Sequence, residues 1–197
     1  METDNGGTTV PETPDAAWLE ERFGEGSLWR PQEADLPAEL TDRKSREFLL
    51  TVGFPAVRLD VVGIDTTSLR DEGALEPFDA DELYGNRRPD DDTPPENFSF
   101  FLAARSDQHL MLDDHGGITH YDPNGWDHAR GWKGPAAASL PSLAALLGLI
   151  AESADSLDRS TEEGRRSAAI ADLQERMIAH DVDVDSDFWN EVFEHLE

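Results

Sequence analysis

The spacing of apolar residues changes twice along this chain of 197 residues. It is helical at the start, short and strand-like through the middle, and helical again to the end. Few fold classes accept that order. Strands gathered in the middle with helices before and after them point to α+β: a central, mostly antiparallel sheet flanked by N-terminal and C-terminal helices. No segment repeats internally.

The first helix is expected to start at Thr13 as cap with Pro14 in its first position, carry Trp18 and Leu19 inward, and stop near Gly24. Leu28-Trp29-Arg30-Pro31 reads as an extended link. Thr41 caps a second helix that runs to Val52, burying Phe48, Leu49 and Val52, and Gly53 and Pro55 end it. Val57 to Val62 is a short strand, and Phe98 to Ala104 is an apolar run of strand length. His109 to Asp113 and Ile118 to Asp122 flank Asp114-His115-Gly116-Gly117, a hairpin turn in which glycine accepts positive φ. Ser139 caps a helix whose apolar face is Leu140, Leu143, Leu146, Leu147 and Ile150. Ser160 and Glu163 fit a capping box ahead of Ile170, Leu173 and Met177. A last helix from about Asp185 buries Phe188, Trp189, Val192, Phe193 and Leu196. The side chains expected in the core are Phe100, Leu102, Leu110, Leu112, Leu143, Leu147 and Trp189. Residues 1–12 read as a disordered tail, 13–152 as the α+β domain, and 153–197 as helices packed on that same domain.

Charge narrows the partners. Asp and Glu number 43 against 16 Lys and Arg, a formal net charge of −27. Such a surface repels nucleic-acid phosphates and anionic membranes and attracts basic proteins. Solubility alone is the plainer account of the same charge. The acids concentrate in residues 71–96, where ten acids and two arginines leave a net charge of −8. Asp90-Asp91-Asp92 followed by Pro94-Pro95 marks this stretch as a loop or partly ordered insertion at the sheet edge. The chain contains no cysteine, so neither a disulfide nor a thiolate metal site holds it together. Its N-terminus lacks the basic start and apolar stretch of a signal peptide, and no apolar run is read as long enough to cross a bilayer. A cytoplasmic protein is the expectation.

Catalytic chemistry finds little footing. Asp113, Asp114, His115, His120, Tyr121, Asp122 and His128 are the densest group of potential ligands. Strand alternation, however, sends His120 and Tyr121 to opposite faces and leaves His115 in a turn. Asp181-Val182-Asp183-Val184-Asp185-Ser186-Asp187 resembles a calcium loop, but no frame supplies both Gly at the sixth position and Glu at the twelfth. A turn with Asp185 as helix cap explains it more simply. Gly-x-Ser-x-Gly is absent, and no phosphate-binding glycine loop follows a strand. Trp126 and Trp132 lie in a glycine-rich segment and read as a rim of the core or a protein interface. The expectation is a non-enzyme without metal or cofactor.

Several segments, taken in order, resemble a known family. They are Phe23-Gly24, then Leu28-Trp29-Arg30-Pro31, Leu36-Pro37, and the helix Arg46-Glu47-Phe48-Leu49 running into Val52-Gly53-Phe54-Pro55. The hairpin from Asp113 to Asp122, the helix Ser139 to Ile150 and the closing Asp187-Phe188-Trp189-Asn190-Glu191-Val192 follow. Together they resemble the SUKH superfamily of bacterial immunity proteins, in particular its fourth subgroup. The resemblance implies a mixed sheet backed by helices and a protein that binds and blocks a toxin, with nucleases and nucleobase deaminases prominent among the targets. It supplies no catalytic residues. On this reading the partner is a cognate toxin with a basic surface, and neither nucleic acid nor membrane is bound; self-association is left open. Asp79, Asp81, Glu82, Asp90, Asp91 and Asp92 are the expected contacts, because a variable acidic loop is where partner specificity costs the fold least. The alternative is a regulatory or scaffold module that holds other cellular proteins.

Overall fold

The computed structural model describes residues 10–86, 88, 92–125, 131–158 and 162–197. Its first helix, α1 (Ala16–Phe23), is capped by Asp15, whose carboxylate accepts the Trp18 amide at 2.8 Å. Thr13 and Pro14 therefore precede the helix and do not start it. Helix α2 (Arg43–Thr51) is likewise capped one residue later than expected, by Asp42, which accepts the Ser45 amide at 2.7 Å. In both cases the residue with extended backbone next to the first helical turn holds the carboxylate, and a carboxylate also suits the helix dipole. Gly53 ends α2 with φ +88°; a Cβ there would stand 2.9 Å from the Trp29 carbonyl oxygen. That close approach lets β1 (Leu28–Trp29) pair antiparallel with β2 (Phe54–Pro55), so the expected extended link is one strand of a small sheet.

Among the described residues the main sheet has seven strands. β3 (Arg58–Leu59), β4 (Ile64–Asp65), β6 (Phe98–Arg105), β7 (Gln108–Asp113), β8 (Ile118–Tyr121) and β9 (Trp132–Ala137) lie side by side in that order, every neighbour antiparallel. β5 (Pro77–Asp79) pairs with the start of β6, on the edge whose other end pairs with β4. The acidic stretch is thus partly regular: it contributes β5 and a one-turn helix, α3 (Ala80–Leu83). A register shift in β6 between Phe101 and Ala103 leaves Leu102 and Ala103 both buried, the usual effect of a bulge. The hairpin between β7 and β8 turns at Gly116 with φ +94°.

Helices cover one face of the sheet. Helix α4 (Leu140–Leu157) starts where expected, with the Ser142 amide donating to Ser139 Oγ at 3.2 Å. It is long and apolar enough to cross a membrane by length and composition, with a mean hydropathy of 1.3, which corrects the reading that no run in the chain is. In the fold it is the central core helix: every residue from Ser142 to Ile150 is buried. Gly148 makes room for the Trp18 ring, which a Cβ would meet at 2.4 Å. Helix α5 (Glu163–His180) buries Ile170, Leu173 and Met177. The expected capping Ser160 lies outside the described residues; Glu162 occupies the cap, with no side-chain hydrogen bond. Helix α6 (Asp187–Leu196) is preceded by Ser186, not Asp185, as its cap. Its Trp189 is fully buried and donates from Nε1 to the Ala136 carbonyl of β9 at 2.6 Å. All seven side chains expected in the core are buried, and they belong to one cluster that spans α1 to α6. Val10, from the stretch read as a tail, packs against that cluster.

Candidate functional site

Strand pairing sorts the side chains of the sheet into two sets. Phe100, Leu112 and Ile118 are matched across β6, β7 and β8, as are Leu110 and His120, and all are buried toward the helices. The alternate residues face the other way: Phe101 beside Met111 and Thr119, and His109 beside Tyr121, whose neighbour on β9 is Trp132. β5 adds Phe78, paired with Ser99 on this outer side.

The outer face is only half covered. α3 and the residue after it lie on it, with the Tyr84 hydroxyl 2.8 Å from Ser99 Oγ and the Tyr84 and Tyr121 rings edge to face at 6.0 Å. The connection from β4 to β5 forms the opposite wall. Between them runs a groove of 520 Å³. Phe78, Leu83, Phe101, Met111, His109 and Tyr121 line its apolar part, and Asp71, Glu72 and Glu76 stand on its rim. Phe78 is 39% exposed and Trp132, nearby on β9, is 50% exposed. The Phe101 and His109 rings meet edge to face at 4.8 Å. Burial lowers the pKa of His109, with Asp122 pulling the other way, and burial together with Asp122 raises that of Tyr121. Burial thus favours the uncharged forms of both groups on the groove floor, while carboxylates stand on its rim.

The acids named from the sequence divide. Asp79 caps α3, its Oδ1 accepting the amides of Asp81 and Glu82 at 3.0 and 3.2 Å. Asp81 accepts the Asn97 side-chain amide at 2.8 Å. Asp79 thus fixes the first turn of α3, and Asp81 ties that helix to the residue before β6. Glu82 and Asp92 are exposed, and Asp90 and Asp91 lie outside the described residues. The groove itself was not anticipated. A signal for it was present: Phe98-Ser99-Phe100-Phe101-Leu102 and His109-Leu110-Met111-Leu112 are nearly continuous apolar runs, and such runs mark strands covered on both faces.

The candidate ligand groups have local duties. Asp113 Oδ1 accepts the amides of His115 and Gly117, each at 2.9 Å, which closes the hairpin. Asp114 Oδ2 accepts the Phe98 amide, and Asp122 Oδ1 the Asn124 amide. His120 and Tyr121 do face opposite ways, and His128 lies outside the described residues, as does Trp126. In the calcium-like segment Asp181 turns inward. Only 5% exposed, it accepts from the Ala138 amide at 2.9 Å, Ser142 Oγ at 2.5 Å and the Asp183 amide at 2.9 Å. Among the described residues no group of three or more His, Cys, Asp or Glu is placed to hold a metal ion.

What the outer face offers is a shaped apolar hollow inside an anionic rim, the makings of a protein-binding surface. Neither a curated protein nor a solved structure matches the chain. The model of the SUKH-4 immunity protein family matches residues 14–195, nearly the whole length, and the chain belongs to that family.

Proposed function

We propose that this chain is a cytoplasmic immunity protein that neutralises a cognate toxin by binding it and occluding its active or substrate-binding surface. The observation that carries the reading is the half-covered outer face of the sheet, where an apolar groove opens beside the acidic segment. A nuclease or nucleobase deaminase is the favoured target class. Such enzymes present basic surfaces to phosphates, and an inhibitor with a net charge of −27 meets that surface with the opposite sign. Long-range attraction speeds the encounter, so protection is prompt.

Within the acidic segment, Asp79 and Asp81 keep the backbone in place, while Glu82 and Asp90, Asp91 and Asp92 meet the basic partner. The direct test is to look for a toxin domain encoded beside this chain and to co-express the two. Cells carrying both survive, and cells carrying the toxin alone do not. Death of both cultures, with the chain folded and abundant, would overturn the proposal. Reversing Asp90, Asp91 and Asp92 to Lys slows association and weakens its salt dependence while the fold stays intact; an unchanged association rate at low salt would remove these acids from the interface.

A further inference from the structure

Charge alone makes encounters fast but gives little hold, because exposed charges act chiefly on the association rate. Tight binding needs a desolvated anchor in a pocket. The outer groove supplies both features, and its wiring says what fills it. Arg70, beside the rim, is occupied: its guanidinium donates to the carbonyls of Gly26 and Ser27, each at 2.9 Å. Asp71, Glu72 and Glu76 are exposed and form no ion pair among the described residues. Three carboxylates thus ring an apolar floor with no ion-paired cation among the described residues.

We propose that the groove receives a segment of a partner protein in which an aromatic or long aliphatic side chain sits next to arginine or lysine. The apolar side chain enters between Phe78, Phe101 and Met111, and the neighbouring cations meet Asp71, Glu72 and Glu76. This deepens the toxin-binding reading and rests on it for the identity of the partner. Competing occupants fit less well. A nucleic acid meets three uncompensated carboxylates. A second copy of this chain brings another −27 charges to the contact. A neutral small molecule leaves the rim unused.

The test pans a phage-displayed random peptide library on the full chain, then measures association and dissociation of the enriched peptides at low and high salt. The enriched peptides carry an aromatic or aliphatic residue within a position or two of Arg or Lys. Phe78→Ala weakens them about tenfold, mostly through faster dissociation. Glu72→Lys with Glu76→Lys slows association and removes most of its salt dependence. Thermal melts confirm that each variant is folded, and Leu83→Ala repeats the anchor test at a second wall of the groove. Enriched peptides without basic residues overturn the proposal, as does unchanged affinity in folded Phe78→Ala and Leu83→Ala, or a neutral small molecule that displaces the peptides. Protection from the toxin that survives all these substitutions overturns the groove assignment and leaves the immunity reading standing. Peptide binding of the stated pattern in a chain that protects from no toxin upholds the groove and sinks the immunity reading.

Discussion

On the helix side of the sheet Phe100, Leu102, Leu110 and Leu112 are sealed beneath α4 and α6, while on the outer side Phe78 and Trp132 remain in contact with solvent. The same strands supply both sets. Burial on the first side is nearly complete and its contacts are made within the chain, so a substitution there is paid in stability. The outer side keeps an apolar groove under a short helix and an acidic connection, so a substitution there changes what the protein meets more than how it folds. The outer face can therefore vary without disturbing the sealed one.

The largest expected effect is on the sealed side. Trp189→Ala removes a fully buried indole and strands the Ala136 carbonyl, costing about 3–5 kcal/mol. Urea denaturation measures it, and a loss under about 1 kcal/mol would mean that α6 contributes little to the core. Asp181→Ala comes next. It leaves the Ala138 amide and the Ser142 hydroxyl without their acceptor, at a cost of about 1–3 kcal/mol, while Asp181→Asn recovers part of it. Equal losses in the two variants would assign the effect to shape and not to hydrogen bonding.

Gly148→Ala drives a methyl group into the Trp18 ring and destabilises by about 1–3 kcal/mol. A second change, Trp18→Leu, should remove most of that penalty, and strictly additive losses in the double-mutant cycle would place the strain elsewhere.

His120 tests the sealed face by pH. It is 1% exposed, its ring lies edge to face with Phe188 at 5.1 Å, and neither nitrogen has a hydrogen-bond partner among the described residues. Burial lowers its pKa, with Glu191 and Asp122 opposing the shift and Lys133 and Arg105 adding to it. The folded chain therefore binds fewer protons at this site than the unfolded chain. Its stability is lost as pH falls below the unfolded value near ~6.5 toward the lower folded one. Melting temperatures of the wild type should fall relative to His120→Leu over that interval, and parallel curves would refute the assignment. The smallest stability effect is expected from Phe78→Ala on the outer face, within about 0.5 kcal/mol of the wild type. A loss as large as that of Gly148→Ala would erase the contrast between the faces.

Much of the fold was legible because periodicity is a property of residues close in sequence. Alternation in β7 and β8 placed Leu110 inside and separated His120 from Tyr121, and helical spacing found the buried faces of α4, α5 and α6. Helix caps were legible only to within one or two residues, since Asp15, Asp42 and Ser186 became caps through backbone angles that composition does not specify. β9 was not anticipated, since Gly134 and Pro135 break any strand pattern in it; pairing with β8 and the Trp189 bond to Ala136 make it a strand. β5 was hidden among acids for the same reason, and its pairing with β6 ordered it.

The sequence by itself determined the helical ends and strand-rich middle, the helix-facing core, the anionic character of the chain and its resemblance to immunity proteins. Tertiary structure alone decided where an apolar groove opens. The groove is lined by residues as far apart as Asp71, Phe101 and Tyr121, brought together by strand register. It also decided where the acids sit: Asp79 caps α3 and Asp81 accepts from Asn97, while Asp71, Glu72 and Glu76 stand at the rim. Local pattern encodes which side of a strand is apolar; which distant segment covers that side, and how completely, depends on long-range pairing whose outcome is written in no short stretch of the chain.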